Sequence, residues 1–204
     1  MTRRPALSIL VLLLSGLILT GCPKKPPVVV PPLEKPPFVN PIERVLEILS
    51  FADSVQARAT LRLDLMMDGE KTNFLLNGLI LYQKPDKLRI LGYHPLGMGL
   101  FDALYRNGEF ILLVPLQKRV YTGEVFQFED AMKRAGEIRI TTSMNEKHNV
   151  PSRIRIHIVE KEVEIEIRMK EVQANQALPD DAFQWTLPEG VDVRPLGSLL
   201  KRIK

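Results

Sequence analysis

The sequence predicts a mainly β domain in which nine or ten antiparallel strands curl around one apolar side, with short helices plugging what they enclose. Three observations carry that reading. From Val55 onward the apolar positions recur every second residue, the period of a half-buried strand. Turn signals at Asp68-Gly69, Lys84-Pro85-Asp86 and Asn107-Gly108 cut the chain into short runs. A sheet of that many strands does not stay flat, so it curls around its apolar side.

Ahead of the domain stands an address. Thr2-Arg3-Arg4 is a short basic segment, and residues 6–19 form an apolar run. A bilayer span needs about 20 residues, so this shorter run reads as the h-region of a secretory signal. Leu19-Thr20-Gly21-Cys22 resembles the bacterial lipobox, whose cysteine receives a diacylglyceryl thioether. Residues 1–21 are then a signal peptide, and Cys22, the single cysteine, carries diacylglycerol and an N-acyl chain. Each buried methylene contributes about 0.8 kcal/mol, so a multiply acylated cysteine holds the protein on a membrane. Residues 22–41 follow as a tether. Eight prolines between Pro23 and Pro41 exclude a helix or a central strand and predict an extended spacer.

The domain proper covers residues 42–204. Asn40-Pro41 is a cap and first-turn pair, and Ile42, Val45, Leu46 and Leu49 follow at helical spacing. Then Val55, Ala57, Ala59, Leu61, Leu63 and Leu65 alternate with polar residues as one long strand. Further strands are predicted at residues 74–82, 88–93, 100–105, 109–114 and 120–122, with a helix at 128–135 ended by Gly136. Three more follow at 137–142, 153–159 and 163–172. Pairing the last two so that residue numbers sum to 321 sets His157 opposite Glu164 and Arg155 opposite Glu166, a favourable register. Short strands at 183–187 and 191–194 complete the sheet, and Leu196, Leu199, Leu200 and Ile203 mark a terminal amphipathic helix.

Composition and motifs exclude several classes. The chain of 204 residues is 45% apolar and 25% charged, which is globular rather than disordered. Without Arg3 and Arg4 of the signal, 26 basic residues stand against 24 acidic ones, no footprint for nucleic acid. One cysteine excludes a multi-cysteine metal cluster, and His94, His148 and His157 form no ligand-spaced pair. No GxSxG, phosphate-binding glycine loop or Cys/His pair is present. No enzyme, metal or cofactor is expected beyond the lipid on Cys22.

The stretch from Lys84 to Gly123 supports a family resemblance. Lys84-Pro85, Arg89 within a strand, Pro95-Leu96-Gly97, Asn107-Gly108 and Pro115, with Leu178 to Val193 near the end, are similar to the pattern of the LolA/LolB-like lipoprotein localisation family. The resemblance implies an incomplete antiparallel β-barrel of about 9–11 strands with a helical lid over an apolar concave face. In that family the face accepts the acyl chains of lipoproteins travelling to the outer membrane. A lipid on Cys22 places the chain with the anchored kind, and because Pro23 is not the aspartate that retains lipoproteins at the inner membrane, the expectation is the outer membrane, facing the periplasm, with the inner membrane as the alternative.

Two groups of candidate site residues follow. The apolar ligand face is expected to include Leu61, Leu63, Leu65, Phe74, Leu88, Ile90, Ile154, Ile156, Ile158, Ile165 and Ile167; such walls without charge suit a hydrocarbon. The loop carrying Leu96, Met98, Leu100 and Phe101 is more apolar than a solvated turn and is a candidate contact for membrane or cargo. Expected partners are membrane lipid and acylated lipoproteins, with the chain a monomer. The alternative reading is a structural lipoprotein that docks into an envelope protein complex.

Overall fold

Asn40 starts a helix as its sequence predicts. Its Oδ1 accepts from the backbone N–H of Ile42 at 3.0 Å and of Glu43 at 3.5 Å, while Pro41 fills a first-turn position that needs no donor. The computed structural model describes residues 40–67, 70–145 and 150–200. The signal segment, Cys22, the proline-rich tether up to residue 39, the Asp68-Gly69 turn, His148 and Ile203 lie outside the described residues.

After this helix, α1 (Pro41–Leu49), come β1 (Ser54–Met67), β2 (Glu70–Gln83), β3 (Lys87–Tyr93), β4 (Gly99–Arg106), β5 (Glu109–Val114) and β6 (Arg119–Glu124). Then follow α2 (Val125–Ala135), β7 (Ile138–Asn145), β8 (Val150–Ile158), β9 (Val163–Ala174), β10 (Asp192–Pro195) and α3 (Leu196–Leu200). The ten strands form one open sheet in the order β10-β6-β5-β4-β3-β2-β1-β9-β8-β7. Arg155 faces Glu166 and His157 faces Glu164 across β8 and β9, the register that charge pairing predicts. The sheet is antiparallel except at one edge, where β10 runs parallel to β6. That corrects the all-antiparallel expectation. The segment before β10 crosses a face of the sheet instead of turning back beside its neighbour, so β10 enters in the same direction as β6.

On the concave face α1 lies over β7 and β8. Leu49, Val55, Ala57, Leu61, Ile80 and Tyr82 form one buried cluster with Ile154 and Ile167 from β8 and β9. Gly92 permits a close approach within this face: a Cβ there would fall 2.2 Å from the Phe101 ring.

The convex face differs from the sequence reading. Residues 183–187 are not a strand. Instead residues 178–191 form a strap whose Ala182 and Phe183 are buried against Leu81, Leu104, Ile111 and Val120. Pro179 and Pro188 withhold donors from any ladder, and the strap turns locally, Ala182 N–H to Pro179 O and Gln184 N–H to Asp181 O, both 2.9 Å. Arginines fasten it to the sheet. Arg89 grips Asp102 with Nε to Oδ1 at 2.9 Å and Nη2 to Oδ2 at 2.7 Å, and its Nη1 donates to the Ala182 carbonyl at 2.9 Å. Arg106 Nη1 donates to the Phe183 carbonyl at 2.9 Å.

The other half of the convex face is charged. Glu166 is buried there and takes hydrogen bonds from Arg155, at 2.6 Å, and from Arg168, with Arg153 at 3.7 Å. Burial alone would raise its carboxyl, yet Arg155 and Arg168 hold it below the ordinary carboxylate range.

Candidate apolar site under the two helices

Strand periodicity brings one row of side chains from each central strand to the concave face. β3 contributes Leu88 and Ile90, β4 contributes Ala103 and Tyr105, and β5 contributes Phe110. Ile156 of β8 and Ile167 of β9 reach the same space from the other side, beneath Pro41, Ile42 and Val45 of α1. Phe128 of α2 closes it, stacked on Phe110 with ring centroids 5.6 Å apart. Together they line a half-open apolar cavity of about 130 Å³.

Among the described residues, no charged side chain lines this cavity. The Tyr105 ring is part of the wall; burial pushes its phenol up, and the carboxylates of Asp86, Glu43 and Glu129 push it the same way. Ligand pockets commonly run from about 300 to 1,000 Å³, whereas an apolar cavity of about 150 Å³ admits one benzene. The space fits part of a hydrocarbon chain. Both helices are tied at one point: Asn40 Nδ2 donates to Glu129 Oε1 at 2.7 Å, joining the cap of α1 to α2.

Of the residues expected on the ligand face, Leu88, Ile90, Ile156 and Ile167 line the cavity. Leu61 and Ile154 are filled core, at 3% and 1% exposure. Leu63 and Ile165 pack beside that core, while Leu65 and Ile158 are half-buried away from the cavity and Phe74 is exposed near the end of the β1–β2 hairpin. Sequence reasoning missed Ala103, Tyr105, Phe110 and Phe128. The first three continue the odd and even rows of their strands, a signal that was present, but Phe128 depends on where α2 lies.

The β3–β4 loop turns tightly on its own hydrogen bonds, His94 N–H to Met98 O at 2.8 Å and Gly97 N–H to His94 O at 2.7 Å. Gly97 takes φ of 88°, a conformation that favours glycine. Leu96 is left 88% exposed and Met98 is also exposed. Leu100 and Phe101 instead belong to β4 and pack against the concave core. The strand registers set Met66, Phe74 and Leu75 of the β1–β2 hairpin and Leu116 of the β5–β6 turn at the same end of the sheet, all exposed. A larger cleft of about 490 Å³ opens beside the strap, but Lys87, Arg106, Glu109 and Asp180 line it, which does not suit hydrocarbon.

No family model matches the sequence, and no curated protein is similar to it in sequence. The structural neighbours include LolA-type proteins. One is a LolA superfamily protein from Nitrosomonas europaea, 9% identical, with 72% of this chain and 99% of that one covered and a TM-score of 0.39. An outer membrane lipoprotein-sorting protein domain from Vibrio parahaemolyticus is similar at 10% identity, covering 70% and 95%, with a TM-score of 0.36. An uncharacterized conserved protein from Thermus thermophilus is similar at 10% identity, covering 74% and 99%, with a TM-score of 0.44.

Proposed function

We propose that the chain is an envelope lipoprotein, anchored through Cys22, whose concave face holds acyl chains of a lipid or lipoprotein at the outer membrane. The observation that carries this reading is the cavity under α1 and α2, walled by aliphatic and aromatic side chains with no charge. Burying hydrocarbon there is worth about 0.8 kcal/mol per methylene. The exposed Leu96 and Met98 supply a place where the domain meets membrane or acylated cargo.

Ala103→Leu tests the cavity. The new side chain adds three carbons to the wall and fills the space a guest needs. Titration with a fluorescent fatty acid is expected to show at least tenfold weaker uptake than the parent, with an unchanged or slightly raised melting temperature. Equal uptake by a folded Ala103→Leu protein would remove the acyl-binding reading.

Leu96→Glu tests the loop. A side chain 88% exposed contributes little to the fold, whereas a leucine fully buried in a membrane is worth about 1.5–3 kcal/mol. Flotation with liposomes, in a chain that also carries Cys22→Ser, is expected to fall about ten- to a hundredfold at an unchanged melting temperature. Unaltered flotation would leave the tip without a membrane role.

A further inference from the structure

We infer that the outer edge of β7 is a docking site for an extended polypeptide strand that alternates apolar and acidic residues. An open sheet has two edges, and this one treats them differently. At one end β10 is four residues long, finishes in Pro195 and runs directly into α3. At the other, β7 is eight residues long and carries neither lysine nor proline, the residues that blunt natural edges. Among the described residues β7 pairs with β8 alone.

The ladder shows which groups face outward. Val159 N–H donates to Glu137 O at 2.9 Å, next to the facing pair Ile138 and Ile158. Antiparallel ladders alternate hydrogen-bonded with non-hydrogen-bonded pairs. Arg139 and Thr141 therefore turn their N–H and C=O toward β8, and Ile138, Ile140 and Thr142 turn theirs away. Three N–H and three C=O groups at two-residue spacing are the template for an added strand.

Both faces of that edge specify the guest. Ile138 and Ile140 continue the concave apolar row of Ile158 and Ile156, so alternate residues of an added strand extend an apolar surface. Its other residues lie on the convex side, where β7 and β8 present Arg139, Arg153, Arg155 and His157 and contain no carboxylate. Glu137, Glu164 and Glu166 partner some of these cations, yet Arg139, Arg153 and Arg155 remain 61%, 38% and 45% exposed. Acidic side chains at alternate positions complement that row, and proline in the guest would remove the donors the edge requires.

The probe is a fluorescein-labelled peptide of alternating valine and glutamate, nine residues long, with a second peptide carrying proline at every other position as control. Titrated into the purified full chain, the first is expected to raise anisotropy saturably and to slow amide exchange at Ile138, Ile140 and Thr142 at least tenfold. The proline peptide is expected to do neither. Thr142→Pro deletes one outward N–H, along with the hydroxyl that donates to the Arg153 carbonyl of β8 at 3.1 Å, and is expected to weaken binding at least tenfold, while Thr142→Ala, which loses the same hydroxyl but keeps that N–H, binds like the parent. Absence of binding, equal binding by a folded Thr142→Pro chain, or protection of the three amides before any peptide is added overturns the inference. The last result would mean that a second copy or another part of this chain already occupies the edge, and sedimentation would separate those two. Should Thr142→Pro fail to fold, amide exchange in the parent chain still decides.

Discussion

Arg89→Leu is expected to lower the unfolding free energy by about 1–3 kcal/mol, the cost of leaving a partly buried carboxylate without its hydrogen-bond partner. Arg89 and Asp102 are 18% and 14% exposed, and their contact is a two-pronged guanidinium–carboxylate pair. The same guanidinium holds the Ala182 carbonyl, and at 3.3 Å the Gln184 carbonyl, so the substitution frees the strap as well as orphaning Asp102. Trp185, the chain's single tryptophan, packs on the strap's apolar cluster and reports the second effect. Its emission is expected to shift to the red in Arg89→Leu under conditions where the sheet is still folded. Replacing Asp102 by leucine as well should restore part of the loss, because no unpaired charge is then buried. A loss under 1 kcal/mol with unchanged Trp185 emission would show that apolar contacts alone seat the strap.

Ile154→Asp is expected to abolish folding, whereas Ile156→Asp, two residues along the same strand, leaves a folded protein. Ile154 is 1% exposed inside the concave cluster, opposite Ile167. An unpaired carboxylate there costs several kcal/mol, and the lost apolar burial adds about 2–3 kcal/mol. A domain of ordinary stability has about 5–15 kcal/mol to lose. Ile156 faces the same way but is half-buried against the cavity, where the new carboxylate can keep part of its hydration. Its expected cost is about 1–3 kcal/mol, with weaker fatty-acid uptake. Urea denaturation of both variants reads the difference. Unfolding by both would mean that the cavity wall behaves as packed core and does not yield to a guest.

Those two isoleucines show how far the sequence reaches. Period-two patterning puts Ile154, Ile156 and Ile158 on one face, and the structure keeps all three there. Pattern alone does not say that the first is core, the second a cavity wall and the third marginal. Depth along a strand depends on where α1 and α2 cross it, which is a long-range outcome. The strap teaches the converse. Continuous apolar runs at residues 79–82 and 110–114 are the signature of strands buried on both faces. With the sheet taken as apolar on one side only, the segment around Phe183 reads as another strand, although it is the cover those runs need.

What the sequence determined by itself is local or set by neighbours along the chain. Asn40 and Pro41 define the start of α1, period two defines β1, and the opposite charges at residues 155 and 166 choose the β8–β9 register. Each rests on interactions between residues close in sequence or joined by a short turn, so each leaves a readable pattern. Only the tertiary structure decided that β10 lies parallel to β6, that Arg89 holds both Asp102 and the strap, and that Phe128 closes the cavity over Ala103. These contacts join segments separated by tens of residues. Apolar burial that drives them is non-directional and proportional to area, so many pairings satisfy one composition until the whole chain is packed.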